Sequence, residues 1–82
     1  DLSALAIDTW GMDVRPNETP DVFQPLHIIL IVHMGLTVGE IFDLEELGEA
    51  CAADGRYDFL FSAPPLPIEM AVASPINPIA LR

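Results

Sequence analysis

Lysine is absent from these 82 residues, and three arginines stand against thirteen acidic side chains, for a formal charge of −10. A surface of that sign repels phosphate backbones and anionic bilayers, which argues against nucleic acid and membrane as partners. Cysteine occurs once, at Cys51. No internal disulfide is possible, and a reducing, cytoplasmic setting is the expectation. Long apolar runs are also missing. The stretch Leu26 to Val32 has seven residues, and extended to Val38 it takes in both histidines of the chain. That is well short of the roughly 18 residues a bilayer span requires. The opening DLSALAIDTW has no initiating methionine and carries acid where a secretory leader carries basic charge, so we expect a cut start or simply a first ordered residue. Histidine is scarce too, at positions 27 and 33 only. A catalytic transition-metal site normally takes three or more protein ligands, so this chain by itself cannot build one from imidazoles.

What is present is apolar. Hydrophobic residues make up 51% of the chain, an unusual companion to so large a net charge, because disordered acidic chains are poor in Ile, Leu and Val. A domain of this size buries only about 60% of its unfolded surface. The combination predicts a chain that buries apolar faces against something else, either another part of its own domain or another subunit.

Periodicity and turn chemistry place the elements. Ser3 to Thr9 alternates loosely and predicts a short buried strand with Asp8 at its end. Gly11 to Gln24, with Pro16, Asn17 and Pro20, predicts a surface loop. Pro25 suits the first turn of a helix, where its missing N–H costs nothing, and Gly35 suits the stop, which gives a helix over about 25–34. Leu36 to Phe42 predicts a strand that carries Glu40. Asp43 with Glu46 has capping-box spacing, and Leu44, Leu47 and Cys51 share one helical face. Asp54-Gly55 closes that helix, and Tyr57 to Ser62 predicts a core strand. The tail APPLPIEMAVASPINPIALR holds five prolines, which forbid helix and leave extended pieces joined by turns. The class expected is α+β, a mixed sheet with two helices.

The stretch His27 to Glu40, HIILIVHMGLTVGE, carries the chemistry. An apolar helical segment leads through a glycine turn to a carboxylate, and an imidazole and a carboxylate brought together so can hold one metal ion. The plainer alternative is that His27 is the polar residue of an amphipathic helix. His33 lies about 240° around an α-helix from His27, so both cannot face one ion, and His33 is read as structural. Asp43, Glu45, Glu46 and Glu49 lack the spacing of a calcium loop and read as a solvated helix face. Trp10, Met12 and Phe23 fit either an aromatic-substrate pocket or a core, and Asp8 and Thr9 sit at a strand end within possible reach of the site. Cys51 has no base beside it and no electropositive setting, so it is not read as a nucleophile.

Several short motifs, in order, carry a family likeness: HIILIVHMGLTVGEIFDLEEL, then YDFLFSAPPLPIE and SPINPIALR, with ALAIDTWGMDVRP before them. Together they resemble the C-terminal part of the cyclase family of metal-dependent hydrolases, which includes kynurenine formamidase and isatin hydrolase. The resemblance implies the C-terminal portion of a swivelling β/β/α domain across 1–82. It implies that His27 and Glu40 are metal ligands, for zinc or manganese, and that the reaction is hydrolysis of an amide or other C–N bond in a small molecule, as in an arylformamidase. The family's remaining ligands and general base come from an upstream His-x-x-x-His-x-Asp segment with no counterpart here, so no catalytic residue is assigned to this chain. Met70 and Ala73 stand where family members tend to have glycine. The implied partners are an amide substrate and the missing N-terminal part of the domain or another subunit, in a homo-oligomer. A non-catalytic relative serving as a packing or oligomerisation unit is the alternative.

Overall fold

A computed structural model describes all 82 residues, and they form two compact units, 1–45 and 46–82. In the first unit, strand β1 (Ala4–Ala6) pairs in parallel with β2 (Thr37–Gly39), Ala4 opposite Thr37 and Ala6 opposite Gly39. Parallel strands need a crossover. Here it consists of the 11–24 loop, a single α-helical turn α1 (Pro25–His27) and a π-helical turn over Ile28–His33. The ladder runs past the assigned strands: Ile7 N–H donates to the Gly39 carbonyl at 3.0 Å, Phe42 N–H to Ile7 at 3.0 Å, and Ile41 N–H to Thr9 at 3.0 Å. Leu36, 5% exposed, is the best-buried side chain of this unit.

The helix expected over 25–34 exists, but its winding differs. Met34 N–H reaches Ile29, five residues back, at 3.0 Å, and Leu36 N–H reaches Leu30 at 2.8 Å. A π turn fits one extra residue into the crossover before Gly35 turns the chain at φ +65°. The strand expected to carry Glu40 ends at Gly39, so Glu40 lies just beyond it. There the chain leaves ordinary strand geometry, since Ile41 has φ +63°.

In the second unit, α2 (Glu45–Asp54) starts at the boundary, where the Asp43 carboxylate accepts the Glu45 N–H at 3.4 Å. Gly55, at φ +69°, donates its N–H to the Cys51 carbonyl at 2.9 Å and ends the helix in a left-handed cap. Cys51 is 3% exposed, as its core-like position predicted. Strands β3 (Leu60–Ser62) and β4 (Ile79–Leu81) pair antiparallel, Leu60 opposite Leu81. The Arg82 guanidinium donates to both Asp54 carboxylate oxygens at 2.7 Å and to the Arg56 carbonyl at 3.0 Å, tying β4 to the end of α2. Three expectations need correction. The strand expected to be buried within Ser3 to Thr9 is exposed at Ala4 and Ala6 and half-buried at Leu5. The run from Tyr57 becomes strand only at Leu60, and it is no core strand: all of β3 is exposed. The α+β class holds, with two helical segments, but the expected mixed sheet is two separate pairs, one parallel and one antiparallel.

No helix is long and apolar enough to cross a membrane.

Candidate metal-ligand cluster

Two backbone decisions bring His27 to Glu40. The first is the helix start. Pro25 has no N–H, which leaves Leu26 and His27 as the next donors needing an acceptor. Gln24, at φ +53°, offers no side-chain cap. The acceptor comes from the loop instead: the Asp13 carboxylate takes the Leu26 N–H at 2.8 Å and the His27 N–H at 3.4 Å. The same carboxylate bonds the His27 Nδ1. One loop aspartate thus caps the helix and fixes the ring of its third residue.

The second decision is at the end of β2. Gly39 sits so close to the Phe42 ring that a Cβ there would meet Cζ at 2.9 Å, so a side chain would require that ring to move. With Gly39 and Ile41 held by rungs to Ile7 and Thr9, Glu40 between them projects toward the 11–13 loop. Its Oε1 accepts the Met12 N–H at 2.7 Å and lies 3.4 Å from the His27 Nε2.

The result is an imidazole between two carboxylates. His27 is 25% exposed, Glu40 27% and Asp13 7% at the side chain. Partial burial pushes the Asp13 carboxyl upward. The His27 ring and the Leu26 and His27 N–H groups outweigh it, so Asp13 is held below the usual carboxylate range. Asp13 therefore stays ionised and acts as an acceptor. With Nδ1–H donated to Asp13, the Nε2 lone pair faces Glu40, the arrangement metal-bound histidines commonly use.

A tetrahedral ion about 2.0–2.1 Å from each of two ligand atoms separates them by roughly 3.3–3.4 Å. The His27 to Glu40 span of 3.4 Å fits that separation. These residues supply two such donors. No group of three or more His, Cys, Asp or Glu suited to an ion is assembled in the chain.

Beside it lies a cavity of about 250 Å³ lined by Trp10, Asp13, Arg15, Gln24, His27 and Glu40, among others. Of the residues read as pocket candidates, Trp10 lines this cavity. Phe23 lines a neighbouring one of about 120 Å³ and carries the Arg15 guanidinium over its ring, 5.1 Å from the centroid. Met12 contributes through its backbone. Thr9 holds Ile41 through its carbonyl, and Asp8 is not among the lining residues. His33 is exposed at the end of the π turn and does not join the cluster. Asp13 and Arg15 were missed by the sequence reading. The one available signal for Asp13 was an acid in the loop ahead of a proline-started helix with no capping residue before it.

Fold and cluster define an α+β segment that presents one histidine and one glutamate to a shared point, with an aspartate behind the histidine. No family model and no curated protein matches the chain. Among solved structures, it is similar to one described as the crystal structure of a novel cyclase, at 42% sequence identity and a TM-score of 0.77. The match covers 99% of this chain and 25% of that one, so the chain spans about a quarter of its relative's length. Identity at that level, sustained end to end, supports the cyclase family for this segment.

Proposed function

We propose that these residues form part of the metal site of a hydrolase that cleaves an amide or another C–N bond in a small molecule, in the manner of an arylformamidase. The observation that carries the reading is the 3.4 Å approach of the His27 Nε2 to the Glu40 Oε1, with Nδ1 engaged by Asp13. His27 and Glu40 hold a zinc or manganese ion. Such an ion supplies Lewis acidity, lowering the pKa of water and polarising a carbonyl oxygen.

The chain's own contributions are positional. Asp13 keeps the Nδ1 proton on its side of the ring and the Nε2 lone pair turned outward. Met12 N–H holds Glu40 in place. The remaining ligands and the general base lie outside these 82 residues, on the rest of the domain or on another copy in a homo-oligomer, in a cytoplasmic protein. Aryl formamides, isatin-like lactams and other cyclic amides all fit the reaction class.

One observation favours the second reading, a non-catalytic packing or oligomerisation unit. Large apolar side chains are left open, among them Val32 at 71% exposed and Leu60 at 68%. Metal analysis of the purified full-length protein separates the two. About one transition-metal ion per subunit, lost together with amidase activity in His27→Ala and Glu40→Ala, supports the hydrolase. Metal-free protein of unchanged stability supports the packing unit.

A further inference from the structure

Two residues adjacent in sequence hold the two candidate ligands. Met12 N–H donates to the Glu40 Oε1 at 2.7 Å, and Asp13 bonds the His27 ring and accepts the Leu26 and His27 N–H groups. Both lie at the front of the loop that runs to Gln24. Beyond them the loop bonds to itself, Thr19 N–H to the Asn17 side chain at 3.2 Å and Val22 N–H to the Thr19 carbonyl at 3.3 Å. It meets the helix at Gln24, which stands in the left-handed region at φ +53°. Asp13, Arg15 and Gln24 line the cavity that also holds His27 and Glu40, so the path of the loop shapes the cavity wall.

Without a cation the front of this loop is poorly anchored. Asp13 takes the Nδ1 proton, so the Nε2 lone pair and the Glu40 Oε1 face each other as two acceptors across 3.4 Å. The same Oε1 is the acceptor for Met12. Withdrawal of Glu40 from His27 therefore loosens the Met12 bond, and the two carboxylates around one imidazole repel each other as well. A divalent cation shared by Nε2 and Oε1 replaces that repulsion with ligand bonds and fixes the acceptor on which Met12 depends.

We propose that the 12–24 loop is a metal-responsive strap: a divalent cation on His27 and Glu40 locks it through Met12 and Asp13, and the locked loop raises the affinity for the cation. This rests on the metal-site reading of the same pair. The coupling is reciprocal, because each event favours the other by the same factor. The wall formed by Arg15 and Gln24 takes its shape with the cation in place.

Hydrogen–deuterium exchange of the full-length protein, with zinc alone and with zinc removed by a chelator, tests the strap. Zinc is expected to slow exchange at Met12 and through 14–24 by about fivefold or more, the low end of typical coupling between sites, and to slow β3 less. A second measurement uses Pro20→Gly, at an exposed position that lines neither cavity. Glycine gives the unlocked loop more freedom to lose, so zinc affinity, read by chelator competition, is expected to fall about two- to fivefold. Zinc bound at about one ion per subunit and lost in Glu40→Ala, with exchange through 12–24 slowed no more than in β3, overturns the strap and leaves the metal site standing. Unchanged zinc affinity in Pro20→Gly overturns the strap in the same way. Absence of zinc binding, or equal binding in Glu40→Ala, removes the metal site and the strap with it.

Discussion

His27 and Glu40, thirteen positions apart in sequence, place an imidazole nitrogen and a carboxylate oxygen 3.4 Å from each other. His27 comes from within the crossover and Glu40 from just beyond the strand that the crossover leads into. The π turn and Gly35 between them set the path, and the β1–β2 rungs hold its far end. That separation suits two ligands of one ion better than a strong mutual hydrogen bond. The first prediction concerns this pair. In the full-length protein, Glu40→Gln keeps an acceptor for the Met12 N–H but removes the charge, and metal affinity is expected to fall by about a hundredfold or more. Competition with a chromogenic chelator measures it. Unchanged affinity in Glu40→Gln and His27→Ala would remove both residues from the metal site.

Asp13 should act on the metal through His27. Loss of such a supporting carboxylate typically costs about 10–100-fold in metal affinity. Asp13→Ala is expected to lie in that range and also to loosen the helix start. Asp13→Asn separates the effects, since it retains an acceptor for the Leu26 N–H. Nitrogen chemical shifts of the His27 ring should report Nδ1–H in the metal-free wild type and a mixture of tautomers in Asp13→Ala. Identical ring shifts in the two proteins would show that Asp13 does not set the tautomer.

The Asp54–Arg82 pair predicts a pH dependence for the second unit. The Arg82 guanidinium, followed by the Arg56 N–H, holds the Asp54 carboxyl below its ordinary value. A depressed folded-state pKa contributes stability that is fully present above the unfolded value of about 3.9 and is lost as pH falls through the folded value. Denaturation from pH 7 to pH 2 should show this loss beginning near pH 4, and Arg82→Gln should flatten that part of the profile. A wild-type profile that coincides with Arg82→Gln below pH 4 would sink the assignment.

Met70 stands at φ +64° and is 94% exposed, in one of the two positions where the family resemblance implied glycine. A side chain in the left-handed region costs about 1–2 kcal/mol, and the extra entropy glycine loses on folding offsets about 0.5–1 kcal/mol of that. With no packing to lose, Met70→Gly is expected to stabilise the protein by roughly 0.5–1 kcal/mol, read from urea midpoints. Destabilisation would mean that Met70 makes contacts in the assembled protein. The second position, Ala73, shows no positive φ, so nothing in its backbone calls for glycine.

The elements legible in the sequence were those with a local physical signal. Gly35 and Gly55 both adopt positive φ where a stop was expected, and Pro25 begins its helix. The buried Cys51 followed from spacing, whereas Asp43 accepts the Glu45 N–H and not that of Glu46, so the expected capping box does not form. The π winding was not legible. An apolar run such as IILIV satisfies α and π periods alike, so its sequence carries no signal that separates them. The aromatic run from Tyr57 was misleading for a related reason. Its composition fits a buried strand, but burial needs a covering layer, and β3 has only β4 beside it.

By itself, the sequence determined the chemistry on offer: one imidazole and one carboxylate flanking a glycine turn, an acidic chain without lysine, and more apolar surface than 82 residues can enclose. Tertiary structure alone decided the neighbours. Asp13 meets His27 because a helix begun by proline left backbone donors unpaired and a loop carboxylate was there to take them. Arg15 meets the Phe23 ring, with its guanidinium 5.1 Å from the centroid. Such pairings depend on where distant segments pass one another in space, which spacing along the chain does not encode.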